Sequence, residues 1–263
     1  MRVFLLLIIG LSLVSSPLSA QEAPASATLE PLNTRGTYYF AFNHIPFAKL
    51  WLATETEEES FKVTSTLKSQ GIVRLFKRIK NLTIGEGRRN DGQWVPFSYV
   101  SNSDKEEREA KHVELHYDGF GNLTKRIVNP DDDPNYRPRV PAQEAAKIMH
   151  PSGAVLTIRE KLFHALHVGA STFTQRIYDA RRLVDLHLVI EGRETLRING
   201  ETLPVIKTRG SREYIAGYTD KEIRRVKDDP PVYIYFSDDA RMIPVFVQTS
   251  LDWGTLTATY EAE

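Results

Sequence analysis

Alternation constrains this chain more than any other feature of its sequence. Over most of its length apolar and polar residues change places every second position, the period of a strand with one face against a core. In "YYFAF" Tyr38, Phe40 and Phe42 share a face, and in "SFKVTSTLKS" Phe61, Val63 and Leu67 oppose Lys62, Thr64, Thr66 and Lys68. "HVELHY" sets Val113, Leu115 and Tyr117 against His112, Glu114 and His116, and "DGFGN" follows as a turn. "ETLRINGETLPVIKT" reads as a hairpin about Asn199-Gly200, because a type I′ turn needs positive φ at both central residues. Val232, Ile234 and Phe236, and then Leu256, Ala258 and Tyr260, repeat the pattern to the end.

Two segments break it. "AVLTIREKLFHALH" (154–167) spaces Val155, Ile158, Leu162 and Leu166 as an amphipathic helix. "TDKEIRRVKDDPP" predicts a short helix capped by Thr219 and Glu222 and stopped by Pro230-Pro231. "NPDDDPNYRPRVPAQ" (129–143) is a polar connection, too polar for core. Strands, then a helix, then strands predict a mainly β fold: a curved antiparallel sheet, half-barrel or β-spiral, wrapping one central α-helix, plus the short capped helix. The expected domain is a single one, 35–263, preceded by a disordered Pro- and Ala-rich leader over 21–34.

Residues 1–20 read as a secretory signal: Arg2, the apolar run 3–14, then small residues to a cut near Ala20. Twelve apolar residues are too short to span a bilayer core of ~30 Å, so no stable membrane anchor is expected. The expected location is periplasmic. With no cysteine, the chain has no disulfide framework, thiolate metal site or catalytic thiol. Its 34 basic residues balance 34 acidic ones, and loss of Arg2 leaves −1, so nucleic acid is not an expected partner.

"RIYDARRLVDLHLVIEG" (176–192) concentrates the residues of acid–base and metal chemistry, yet it parses as a turn at Asp179 followed by a strand with His187 on its polar side. In "HVELH" a strand would set His112 and His116 about 13 Å apart, too far for one ion. His164 and His167 read as an exposed helix edge, and "GEG" (85–87), without a lysine or a following helix, reads as a turn. No catalytic residue, metal or cofactor is expected. Tyr38, Phe40, Phe42 and Trp51 are the candidate ligand-binding residues, as core or as the wall of an apolar concavity.

Several of these segments together resemble an exported bacterial family, the domain of unknown function DUF3108. The resemblance rests on Gly92, Pro96 and Tyr99, on "IYDARRLVDLHL" (177–188), and most sharply on "VYIYFSDDARMIPVFVQTSLDWGTLTATY" (232–260). The helix here opens "HPSGAV" where the family has Asp-Pro-Leu-Ser, and Ala180 stands at a family glycine, leaving positive φ at 180 open. Asp179, Arg181, Asp238, Asp239, Arg241 and Pro244 form a signature with a structural account: aspartates that cap turns, an arginine that bridges a carboxylate, and a proline at a strand edge or bulge. The family is similar in outline to half-barrel carriers of lipids and lipoproteins, which implies a fold and no site.

The function expected is binding of a lipid or other envelope hydrophobe in the concavity. The alternative is an envelope scaffold that meets protein partners through the Pro244 strand or the 129–143 connection. An envelope hydrolase using Asp179 or His187 is the third reading.

Overall fold

A computed structural model describes residues 29–71, 74, 79–105, 111–226 and 229–263. Among the described residues thirteen strands form one sheet, and every neighbouring pair is antiparallel. In chain order they are β1 (Thr34–Phe42), β2 (Ile45–Thr56), β3 (Ser60–Ser69), β4 (Ile79–Asn90), β5 (Gln93–Lys105), β6 (Lys111–Tyr117), β7 (Leu123–Asn129), β8 (Thr172–Tyr178), β9 (Leu183–Ile198), β10 (Glu201–Ala216), β11 (Val232–Ser237), β12 (Pro244–Leu251) and β13 (Gly254–Ala262). Helix α1 (Pro151–Val168) joins β7 to β8, and α2 (Asp220–Val226) follows β10.

The spatial order is β7-β6-β5-β4-β3-β2-β1-β13-β12-β11-β10-β9-β8. Two meanders therefore run outward from a central β1–β13 pair. Their turns follow the residues: Asn43-His44 and Asn199-Gly200 all take positive φ, as type I′ turns demand. Thr219 and Glu222 close the predicted capping box on α2, since Glu222 accepts from the Thr219 amide and Thr219 Oγ1 accepts from Glu222.

Register defines the concave face, because directly paired residues point the same way. One row is Thr54, Val63, Gly85, Tyr99 and Leu115; the next is Gly36, Leu52, Ser65, Thr83, Ser101 and Val113. Leu156, Ile158 and Leu162 of α1 pack with Phe61, Val63, Leu188, Ile206 and Phe236 into the main core. The sheet thus wraps the helix.

The helix is seated through its cap. His150 is fully buried; its Nδ1 accepts from the Gly153 amide, its Nε2 lies 3.1 Å from the Glu86 carbonyl, and Tyr99 stacks on it at 5.2 Å. Gly85 makes room, since a Cβ there would overlap the His150 ring. "GEG" is thus not a turn. Gly85, Glu86 and Gly87 lie within β4, where bare backbone admits the cap on one side and Phe61 on the next row.

Two further expectations are corrected. Residues 29–34 belong to the fold: Leu32 is 3% exposed in the main core, and the Glu30 amide bonds the Ala240 carbonyl. The rest of the supposed leader, 21–28, lies outside the described residues, as does the 1–20 segment. The 129–143 connection is also partly core. Val140 joins Tyr117, Val128, Tyr178 and Leu183, and Arg137 is buried, because this segment fills the seam between edge strands β7 and β8. Ala145 and Met149 continue that filling, with Tyr178 bonding the Met149 carbonyl. The outward carbonyls of β8 are capped as well, Thr174 by Lys161 and Arg176 by Gln175, which removes an open edge.

Candidate functional site

The concave face divides at the start of α1. Toward the β2–β3 and β4–β5 turns the helix fills it. Beyond the first turn, the row Leu50, Leu67, Asn81 and Ser103 continues from Tyr38, and Phe40 pairs with Ala258, which pairs with Val247. Phe40, Leu50, Leu67, Val247 and Leu256 are only half-buried there. A band of hydroxyls separates the two zones: Ser65 and Thr83 lie 2.5 Å apart, Ser152 of α1 donates to Thr83, and Ser101 donates to Asn81. The surface is thus an apolar wall with a polar band at the helix start.

The predicted aromatics do not all share it. Tyr38 is buried, its hydroxyl donating to the Pro244 carbonyl at 2.7 Å with its ring against Tyr260. Phe40 lies in the concave row, with its ring 6.2 Å from Phe47, and Phe42 packs 4.5 Å from Trp253 at the rim. Trp51 is on the convex face, 37% exposed, with Lys68 over its ring. The cause is a bulge. A two-residue turn pairs Phe42 with Ile45, and that register carried down the hairpin would put Trp51 beside Tyr38's face; the slip at Phe40/Ala41 pairs Trp51 with Thr37 instead. Leu50 and Leu67 take the place expected of it.

The signature residues build two structural devices. At the first, Asp179 accepts from the Arg181 and Arg182 amides, and Ala180 does take positive φ (77°) in that turn. Arg181 reaches Asp132 at 2.8 Å and the Pro130 carbonyl, so the turn is tied across the seam. Arg126 of β7 donates to the Ala180 carbonyl and pairs with Asp131. Arg137 bonds both oxygens of Glu222 and the Gly217 carbonyl, and Arg182 also reaches Glu222. Burial pushes the Glu222 carboxyl up, but Arg137, the Thr219 amide and Arg182 outweigh it and hold the group well below the usual carboxylate range. Arginines and acids thus latch a seam that lacks strand pairing.

At the second, Asp239 accepts from Ser237, from the Arg241 and Met242 amides and from the Arg241 side chain. Asp238 pairs with Arg193 of the β9–β10 hairpin. The turn aims the Ala240 and Arg241 carbonyls at Arg159 of α1, which is 4% exposed and also bonds the Glu30 carbonyl. Burial lowers the Arg159 guanidinium to about 10. Pro244 sits at a bulge of β12, opposite Phe236. Because β12 lies between β11 and β13, the Pro244 strand is not a sheet edge, and the scaffold reading loses that surface.

His187 lies between Thr174 (2.9 Å) and Glu213 (2.8 Å), near Asp185. Asp185 is held by a bidentate Arg176 at 2.7 Å, which occupies its oxygens. His187 and Asp179 have separate partners, so the pair named for a hydrolase is not assembled. His112 and His116 both bond Glu114 on the convex face. His164 and His167 are exposed, as expected.

Comparison with known proteins agrees with this architecture. A search of curated proteins gives no match. Among solved structures the chain is similar to a beta-barrel-like protein of the domain of unknown function DUF1849 from Brucella abortus, at 10% identity and a TM-score of 0.53. The match covers 90% of this chain and 98% of that one, a likeness of fold alone. The family model described as "Protein of unknown function (DUF3108)" matches residues 37–261, nearly the whole sheet. The chain belongs to the DUF3108 family.

Proposed function

We propose that this is a non-enzymatic periplasmic protein of the cell envelope that holds a lipid or another hydrophobic molecule against its concave face. One observation carries the reading: Phe40, Leu50, Leu67, Val247 and Leu256 point into the curve of the sheet beyond α1 yet remain half-buried, with no part of the described chain covering them fully. Apolar surface left this way inside a concavity suits an apolar guest. The hydroxyl band of Ser65, Thr83, Ser101 and Ser152 suits the polar end of such a molecule. The Arg2-led apolar run that ends in small residues at Ala20 supports export.

Mass spectrometry of an organic extract of protein purified from the periplasm tests the reading. A co-purifying lipid or hydrophobe is expected, and Leu67→Asp is expected to lose it while the fold persists. An extract without any such molecule refutes it.

A further inference from the structure

The tips of two hairpins meet at one end of the sheet, and each carries a large apolar side chain exposed to solvent. Trp253 is 72% exposed and Ile45 59%. They are fixed beside one another: the Asn43 side chain accepts from the Thr255 amide and donates to the Trp253 carbonyl, and Phe42 packs on the Trp253 ring. Behind them, on the convex face, lies a feature that costs stability. Lys49, Lys68 and Lys80 stand directly opposite one another on β2, β3 and β4. Like charges in cross-strand pairs repel. Among the described residues no carboxylate pairs with any of the three, although Asp104 stands opposite Lys80 in register and Glu261 lies on the same face of the sheet. Lys49 and Lys68 rest over the rings of Tyr39 and Trp51 instead. Lys68 and Lys80 are each one residue from a strand end at this rim.

We propose that this rim docks on a bilayer surface that contains anionic lipid, Ile45 and Trp253 entering the interface and the lysine row meeting the headgroup phosphates. Tryptophan at the headgroup level with lysines beside it is the pattern of interfacial anchoring. The occupant is a lipid surface and not a protein groove because both parts of the patch match it: apolar residues at the extreme tip, and cations set back by about 13 Å along the strand from Ile45 to Lys49. The inference stands on the two hairpin tips and the lysine row. It goes beyond the concavity and does not require a guest there. Vesicle binding without a co-purifying molecule, or the reverse, separates the two readings.

The absence of cysteine makes the test direct, since a single introduced thiol is unique. The full chain carrying Ile45→Cys is labelled with an environment-sensitive fluorophore and mixed with vesicles of phosphatidylethanolamine and phosphatidylglycerol. Glu58→Cys, in the exposed β2–β3 turn at the opposite end, serves as the control. The label at 45 is expected to shift to the blue and brighten several-fold, and the label at 58 to stay unchanged. On the labelled chain, Lys68→Gln and Lys80→Gln are each expected to weaken vesicle binding about fivefold. No response at 45 overturns the proposal; this includes a chain held on vesicles only by its 3–14 run. An equal response at 58, or equal binding to phosphatidylcholine vesicles with no effect of the lysine changes, also overturns it.

Discussion

Protonation of His150 is predicted to be a main route of acid destabilisation. The ring is fully buried at the N-terminus of α1, one nitrogen taking the Gly153 amide and the other on the Glu86 carbonyl, with Tyr99 against its face. Burial lowers its pKa from 6.5 to about 4, and the nearby Glu86 carbonyl and carboxylate offset this only in part. Because the folded value lies below the unfolded one, the unfolded chain binds the proton first. The contribution is complete above about pH 6.5 and is lost as pH falls toward 4. At 1.36 kcal/mol per pH unit the loss is about 2–3 kcal/mol by pH 4.5. For a domain this size a loss of about 2–3 kcal/mol corresponds to a fall of about 5–10 °C in Tm. Denaturant unfolding of wild type and His150→Gln at pH 7.5 and 4.5 measures it. The variant is expected to be weaker at pH 7.5 but to lose about 2–3 kcal/mol less on acidification. Equal losses in the two proteins would refute the argument, as would an NMR titration that places this histidine near 6.5.

Other substitutions probe the same framework. Gly85→Ala should cost about 1–3 kcal/mol, since the new methyl meets a buried, hydrogen-bonded ring that has no space to move into; thermal unfolding reads it. Glu222→Gln should cost about 1–3 kcal/mol by loosening Arg137 and Arg182. Its second effect follows from sign: a carboxyl held below its unfolded value stabilises above about pH 4.5 and stops doing so as pH falls, so the variant should lose less below that pH. Hydrogen exchange of the seam segments 123–129 and 172–182 should quicken in that variant before the β1–β13 pair does.

Much of this architecture is legible in the sequence because local rules govern it. Alternation marks the strands, Asn199-Gly200 and Thr219/Glu222 mark their turn and cap, and "AVLTIREKLFHALH" marks the helix. The concave row is only half legible. Tyr38 and Phe40 follow from parity, but Trp51 does not, because one bulge between Phe40 and Ala41 reverses the face of everything beyond it on β2. Local composition also hides the seam: Val140 and Arg137 sit in a polar, Pro-rich stretch whose burial depends on two edge strands distant in sequence. The two glycines of β4 were the available sign of His150, since a strand interior that omits side chains twice invites something close. Which residue comes close is a tertiary fact. The lysine row escapes detection for the same reason, its members being neighbours only through register.

The central β1–β13 pair has a consequence for how the molecule is assembled. Each half is a ladder of adjacent hairpins that can zip up locally, but the rungs joining the halves link residue 36 to residue 262. No partial chain can close this sheet; without its last strand it would expose two long unpaired edges, β1 and β12, at the middle instead of at a guarded margin. Completion of the wall therefore waits for β13. A chain cut short there should aggregate and not merely weaken.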